Sequence, residues 1–175
     1  MPLLSGSHAS GDAGATASGV VTAIVLRPAR RQPAVVVDTA LALAGRGLEG
    51  DRASARSHRT RQVTLIDAAV IERVGRQLGL GTIAPAILRR NLVVRGLDLD
   101  TARGRWLRVG DALLEVTGPC DPCARMEDVL GEGGWDALRD AGGLTAVVRE
   151  AGRIVVGDGV RVVDVPRPAA SRRSD

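Results

Sequence analysis

The sequence predicts a mainly β domain with a few short helices, an α+β chain in which the strands dominate and roll into a barrel or tightly coiled sheet. Three observations carry this. About eight short β-rich segments recur along the chain, each closed by a turn built on Gly or Pro. One segment only has helical spacing over a useful length. No internal repeat or linker divides the chain, and 175 residues with 45% apolar content suffice for one core.

The elements follow in order. Residues 20–26 are β-branched and stop at Arg27-Pro28, and residues 34–38 make a second strand after Pro33. Residues 39–44 are left open between helix and strand, because a short apolar run does not separate them. Residues 45–52 read as a glycine loop and 56–61 as a polar loop, followed by a strand at 62–66. The clear helix starts at an Asp67 N-cap, runs through Ile71, Val74 and Leu78, and is closed by Gly79. Pro85 opens a short second helix to Leu88, and residues 92–94 form a strand. Residues 101–105 read as a loop, and residues 106–110 and 112–117 as a hairpin about Gly110-Asp111. Residues 126–134 hold three glycines and predict no good helix, whereas 135–140 predict a short one. Strands at 144–149, 154–156 and 160–163 end the domain.

The ends differ in composition. Residues 1–18 are small and polar and cannot bury enough surface to offset their ordering entropy, so they are expected to be disordered. The same holds for the tail at 166–175, which leaves 19–165 as the domain. No apolar run reaches the ~20 residues that cross a bilayer, and the start lacks the pattern of a signal peptide. No membrane association and a cytoplasmic location are expected.

The net charge is +4 and all 24 basic residues are Arg, with no Lys. Compositional bias accounts for much of this. Guanidinium groups are nevertheless the better bidentate partners of phosphate and carboxylate. With no Phe, no Tyr and two Trp, the chain lacks stacking platforms, and its Arg residues are scattered in sequence, so no nucleic-acid partner is expected.

The densest chemistry lies in residues 117–126, which hold both cysteines, Cys120 and Cys123, with Pro119, Pro122 and Arg125. Half a zinc site needs a second ligand pair, and the only histidines are His8 and His58. A thioredoxin-type pair needs a helix directly after it. The plain alternative is two inert thiols beside a proline turn. Pro119 and Pro122 stiffen the loop, and Arg125 supplies a cation of the sign a thiolate attracts; a soft thiolate there suits a thiophilic metal such as molybdenum, or a persulfide. The glycine loop fits neither nucleotide fingerprint, and its Asp51 and Arg52 either pair with each other or face a ligand. Arg89-Arg90-Asn91 is either ordinary surface or a set of donors aimed at an anion. His58, Arg61 and Gln62 are similarly ambiguous, and Trp106 and Trp135 read as core or rim anchors.

Several patches agree in order with one family: Gly47-Leu48-Glu49-Gly50-Asp51-Arg52, Arg61-Gln62-Val63-Thr64-Leu65-Ile66, Arg89-Arg90-Asn91-Leu92-Val93, Pro119-Cys120-Asp121-Pro122-Cys123, Gly142-Gly143-Leu144-Thr145-Ala146 and Val156-Gly157-Asp158. The sequence resembles the MOSC domain, named after the C-terminal domain of molybdenum cofactor sulfurases, from about Val20 to Val163, in a free-standing bacterial form. The resemblance implies a barrel-like fold whose cleft receives the molybdenum cofactor, a pterin bearing a phosphate (molybdopterin). It implies that Cys123 is the functional thiol and molybdenum ligand, with Cys120 optional. Arg89 and Asn91 match cofactor-contacting positions, and Arg125, Arg52 and Arg61 complete the expected cofactor-binding set. Many members read Gly-Asp-Arg-His in the glycine loop; here Ala53 replaces the His. The implied activity is reduction of N-hydroxylated compounds, with electrons from a separate reductase. The alternatives are a persulfide carrier fed by a cysteine desulfurase, in a family context that includes pyridoxal phosphate, and a non-catalytic cofactor-binding module.

Overall fold

The computed structural model describes residues 18–56 and 60–164. The segments expected to be disordered (1–17, and from 166 on) and His58 lie outside the described residues; Ser18 opens the first strand.

The frame is set by strands whose neighbouring side chains face two different cores. In β5 (Val63–Asp67) and β6 (Leu92–Arg95) nearly every residue is buried. Val63, Leu65, Leu92 and Val94 point into one apolar cluster, whereas Ile66 and Val93 point into another. That is period-2 alternation with both faces covered, which is why these strands read as continuous apolar runs. The first cluster fills the barrel. The second is closed from outside by α1 (Ala68–Gln77), α2 (Pro85–Leu88), α3 (Arg125–Leu130) and α4 (Gly134–Leu138), through Ile71, Val74, Leu88, Met126, Leu130 and Leu138.

The barrel also uses β1 (Ser18–Leu26), β7 (Trp106–Val109), β8 (Ala112–Pro119), β9 (Leu144–Glu150) and β11 (Gly159–Val163). Seven strands close in the order β11-β7-β8-β9-β5-β6-β1, with β1 returning to β11. All pairs are antiparallel except β5–β6, which α1 and α2 connect. β1 splits its outer side, pairing with β11 at Ser18–Val20 and with the edge strand β2 (Val35–Val37) at Ile24–Leu26. A small second sheet joins β10 (Gly152–Val155), β3 (Thr39–Leu43) and β4 (Gly47–Leu48).

Most sequence expectations hold within a residue or two. Asp67 caps α1 by accepting from the Ala69 N–H at 2.8 Å, and Gly79 follows with φ +67°. The open segment 39–44 is a strand, since pairing with β10 satisfies its backbone. Three expectations need correction. The glycine loop contains a two-residue strand, β4, because Gly47 closes a hairpin on β3. Residues 99–102 form a 3-10 turn capped by Asp98. Residues 125–130 form a real helix, α3: the glycines at 131, 133 and 134 all fall after it, and Met126 and Leu130 anchor it in the outer core. Among the described residues no helix is long and apolar enough to cross a membrane.

Candidate functional site

The cysteine loop leaves β8 at Pro119 and enters α3 at Arg125, and its backbone is held at nearly every step. The Cys120 N–H donates to the Gly143 carbonyl at 2.8 Å. The Arg90 guanidinium donates to Gly142 O at 2.6 Å, Leu88 O at 3.2 Å, Cys120 O at 3.3 Å and Asp121 O at 3.4 Å. Trp135 Nε1 donates to Pro122 O at 3.1 Å, and the Met126 N–H to Cys123 O at 2.9 Å. Four consecutive carbonyls, from Cys120 to Cys123, therefore each have a donor. Gly142-Gly143 is the saddle on which the loop rests. A Cβ at Gly142 would meet Cys120 O at 2.2 Å, and one at Gly143, whose φ is +103°, would meet Leu65 O at 1.9 Å.

This clamp separates the two thiols. Cys120 is buried, with Arg61 Nη2 3.9 Å from its sulfur, and Cys123 is exposed. Arg90 has no carboxylate partner among the described residues; burial pulls its guanidinium below the usual range, and the charges of Cys120 and Cys123 oppose that pull.

A second network lies behind the thiols. Asp51 Oδ2 accepts from the Arg27 N–H, Arg27 Nε and Asn91 Nδ2, and Oδ1 from Arg27 Nη2 and the Ala53 N–H, all at 2.9 Å. Burial alone would raise this carboxyl, but the hydrogen bonds and charge of Arg27, with the backbone donors, outweigh it and hold the group below the usual range. Asn91 is fully buried: Nδ2 also donates to Val25 O at 2.9 Å, while Oδ1 accepts from Arg27 Nη2, Thr64 N and Thr64 Oγ1 at 3.0–3.1 Å. Asp51 pairs with Arg27 rather than with the adjacent Arg52, one of the two options its sequence left open.

Between the networks opens a cleft of about 400 Å³. Among the described residues five guanidinium groups line it (Arg27, Arg52, Arg56, Arg61 and Arg90), together with Thr64 and both cysteines, and Asp121 is the one carboxylate in that lining. The arginines that look scattered in sequence are gathered here by the fold. Of the expected site residues, Cys123, Arg52 and Arg61 meet in this cleft. Asn91 does not line it; its amide is spent on holding Arg27, Asp51 and Thr64. Arg89 and Arg125 border an adjoining groove with Pro33, Ala34, Ile87 and Val129. Arg89 ends α2 at φ +57°, a left-handed conformation that costs a non-glycine residue about 1 kcal/mol. Arg27 and Arg56 are lining arginines that sequence reasoning passed over, and Arg90 was weighed only as one of the Arg89-Arg90-Asn91 donors. Arg27 looked like a strand stop, and nothing local tied it to Asp51, 24 positions on. Trp135 is a rim anchor, about a third exposed, with Arg139 stacked 4.7 Å above its ring.

Among the described residues no three His, Cys, Asp or Glu stand together to hold a metal ion. A metal in this cleft would arrive with ligands of its own, and the chain would add one thiolate. The fold and site thus define a small closed β-barrel domain with a cationic, thiol-bearing cleft. A family profile for the MOSC domain matches residues 48–161, and the chain belongs to that family, which is known for binding the molybdenum cofactor.

Solved structures agree on the fold. The YuaD protein of Bacillus subtilis superposes with a TM-score of 0.74 at 19% identity, covering 83% of this chain and 95% of its own. YiiM of Escherichia coli gives a TM-score of 0.64 at 20% identity over 85% of this chain and 72% of its own. YiiM of Geobacillus stearothermophilus gives 0.64 at 14% identity over 83% and 75%. No curated protein sequence matches the chain.

Proposed function

We propose that this chain binds the molybdenum cofactor in the arginine-lined cleft and reduces N-hydroxylated compounds there, with Cys123 as the protein's ligand to the metal. The observation that carries this is one exposed thiol, on a loop whose carbonyls are all held, facing five guanidinium groups across about 400 Å³. The donor set fits the group: a pterin phosphate is a bidentate anion suited to Arg52, Arg56 and Arg61, and molybdenum is thiophilic. When bound, the cofactor supplies a metal that exchanges electrons in pairs. The net reaction takes two electrons and two protons to convert N–OH to N–H and water, with the electrons drawn from a separate reductase.

The chain's own residues bind and orient. Arg90 keeps the Cys123 loop at fixed height on the Gly142-Gly143 saddle. The Asp51–Arg27–Asn91 network fixes the opposite wall, leaving Arg27 with an orientation set by its carboxylate rather than by the ligand. A reducing compartment such as the cytoplasm is the setting in which Cys123 stays a free thiol.

The test is molybdenum and pterin content of protein purified from a cofactor-producing host, beside Cys123→Ser. Stoichiometric cofactor that the variant loses supports the reading. Protein that carries neither component, in wild type and variant alike, sinks it; cofactor without N–OH turnover leaves a binding module.

A second reading is favoured by both thiols lining one cleft. Cys123 would carry a persulfide delivered by a cysteine desulfurase. Attack by Cys120 would release hydrosulfide and leave a Cys120–Cys123 disulfide, reduced by an external thiol. Mass spectrometry after incubation with a desulfurase and cysteine checks it: a one-sulfur adduct on Cys123 is expected, lasting longer in Cys120→Ser.

A further inference from the structure

The groove beside the cleft has a chemistry of its own. It is an open groove of about 360 Å³, lined by Pro33, Ala34, Ile87 and Val129 and bordered by Arg89 and Arg125. Ile87 and Val129 are 38% and 37% exposed, so the groove presents apolar side chains to water. The two cavities share a wall. From the segment 123–125, Cys123 faces the cleft and Arg125 the groove; from the pair 89–90, Arg90 faces the cleft and Arg89 the groove.

Neither Arg89 nor Arg125 has a carboxylate partner among the described residues, and the hydrogen bond of Arg89 goes to the Gln32 carbonyl at 2.9 Å. Burial, and the charges of Arg125, Arg27 and Arg52, pull Arg89 below its usual range, so the guanidinium sits where an anion is wanted. Its left-handed backbone is one that glycine adopts freely, so the helix end does not explain an arginine there.

We propose that this groove binds the apolar carboxylate part of the substrate, with the carboxylate between Arg89 and Arg125 and the hydrocarbon body on Ile87, Val129, Pro33 and Ala34. The remainder of the ligand reaches across the shared wall to Cys123. A neutral hydrocarbon would leave two cations unpaired. An inorganic or sugar phosphate would leave the apolar lining in water. A carboxylate with an apolar body satisfies both, and two guanidinium groups hold it in defined geometry. That the ligand is a substrate rests on the reading of the cleft above; the binding does not. Arg89 and Arg125 then serve specificity, and cofactor retention falls to Arg52, Arg56 and Arg61.

The test uses the full chain and octanoate as probe, with octanol and acetate as the neutral and short-chain controls, in titration calorimetry and in protection of Cys123 from iodoacetamide. The variants are Arg89→Gly, which relaxes the backbone while removing the guanidinium, and Arg125→Gln at an exposed position. Octanoate is expected to bind at least tenfold tighter than either control, to weaken at least fivefold in each variant, and to slow alkylation of Cys123 severalfold. Equal binding in wild type and both variants, or acetate as tight as octanoate, overturns the proposal. Octanoate binding with no change in alkylation overturns the reach to Cys123. Metal content keeps the two readings apart. Arg89→Gly protein that retains molybdenum but loses octanoate supports the groove, and one that loses molybdenum returns Arg89 to the cofactor and overturns it. Octanoate binding by protein that carries no cofactor under any condition supports the groove while the reading of the cleft fails.

Discussion

Replacing Asp51 by Asn keeps the shape of a buried side chain and removes one negative charge from the network behind the cleft. The carboxylate accepts five hydrogen bonds, three at Oδ2 and two at Oδ1. An amide offers an oxygen on one side only. Whichever way it turns, its NH2 faces donors: Arg27 Nη2 and the Ala53 N–H in one orientation, the Arg27 N–H, Arg27 Nε and Asn91 Nδ2 in the other. At least two donors lose their acceptor, each worth about 1–3 kcal/mol when buried. Arg27, whose side chain is 14% exposed, is left without its counter-charge, and breaking such a pair by removing one partner costs about 3–5 kcal/mol. These describe the same loss from two sides, so the expected destabilisation is about 3–5 kcal/mol. For a domain of this size that lowers Tm by roughly 6–20 °C.

The pH dependence has a definite sign. The folded-state pKa of Asp51 is depressed, so its contribution is present above the unfolded carboxylate pKa of about 4 and lost as pH falls through the folded value. The gap between wild type and Asp51→Asn should be constant near neutrality and narrow in acid. Thermal and urea unfolding followed by circular dichroism at pH 7, 5 and 3 would measure it. A neutral-pH loss below about 2 °C, or a gap that is the same at pH 3, would refute the charge as the cause.

Three further expectations follow from the same contacts. Arg90→Met leaves the carbonyls of Gly142, Cys120 and Asp121 without their donor, so amide exchange at residues 120–126 should accelerate by tenfold or more while the barrel strands change little; equal protection in both proteins would show that the clamp is idle. Iodoacetamide should modify Cys123 at least tenfold faster than Cys120 in the native chain, read by peptide mass mapping, with the difference vanishing in denaturant. Gly143→Ala should fail to give folded protein, because a Cβ there lies 1.9 Å from Leu65 O, whereas Gly79→Ala, with open space around it and φ +67°, should lose only about 1 kcal/mol by urea titration.

How far the chain could be read ahead of its structure depends on the range of each interaction. The strands, the capped helix at Asp67 and the short helix opened by Pro85 rest on neighbours within a few positions, and these emerged correctly. The helix at 125–130 was missed because its support is the packing of Met126 and Leu130 against the outer core, which overrides the glycines just beyond it. The open segment at 39–44 became a strand through pairing along most of its length with residues more than a hundred positions away, and at its end with β4. Nor does local pattern show that β5 and β6 alternate between two cores.

The site divides in the same way. Sequence alone singled out the Pro-Cys-Asp-Pro-Cys loop, left no second Cys or His pair for a protein-built metal cage, and named Arg52 and Arg61 as candidate site residues, because these depend on residue type and order. Only the tertiary structure decided which thiol is exposed, that Asn91 is buried support for Arg27 and Asp51, and that Arg89 and Arg125 open onto a neighbouring groove. It alone turned scattered arginines into a wall. The physical reason is that charge and hydrogen bonding act through space over a few ångströms, and closing a barrel brings Arg27, Arg61, Arg90 and Cys123 within that reach from four separate stretches of chain.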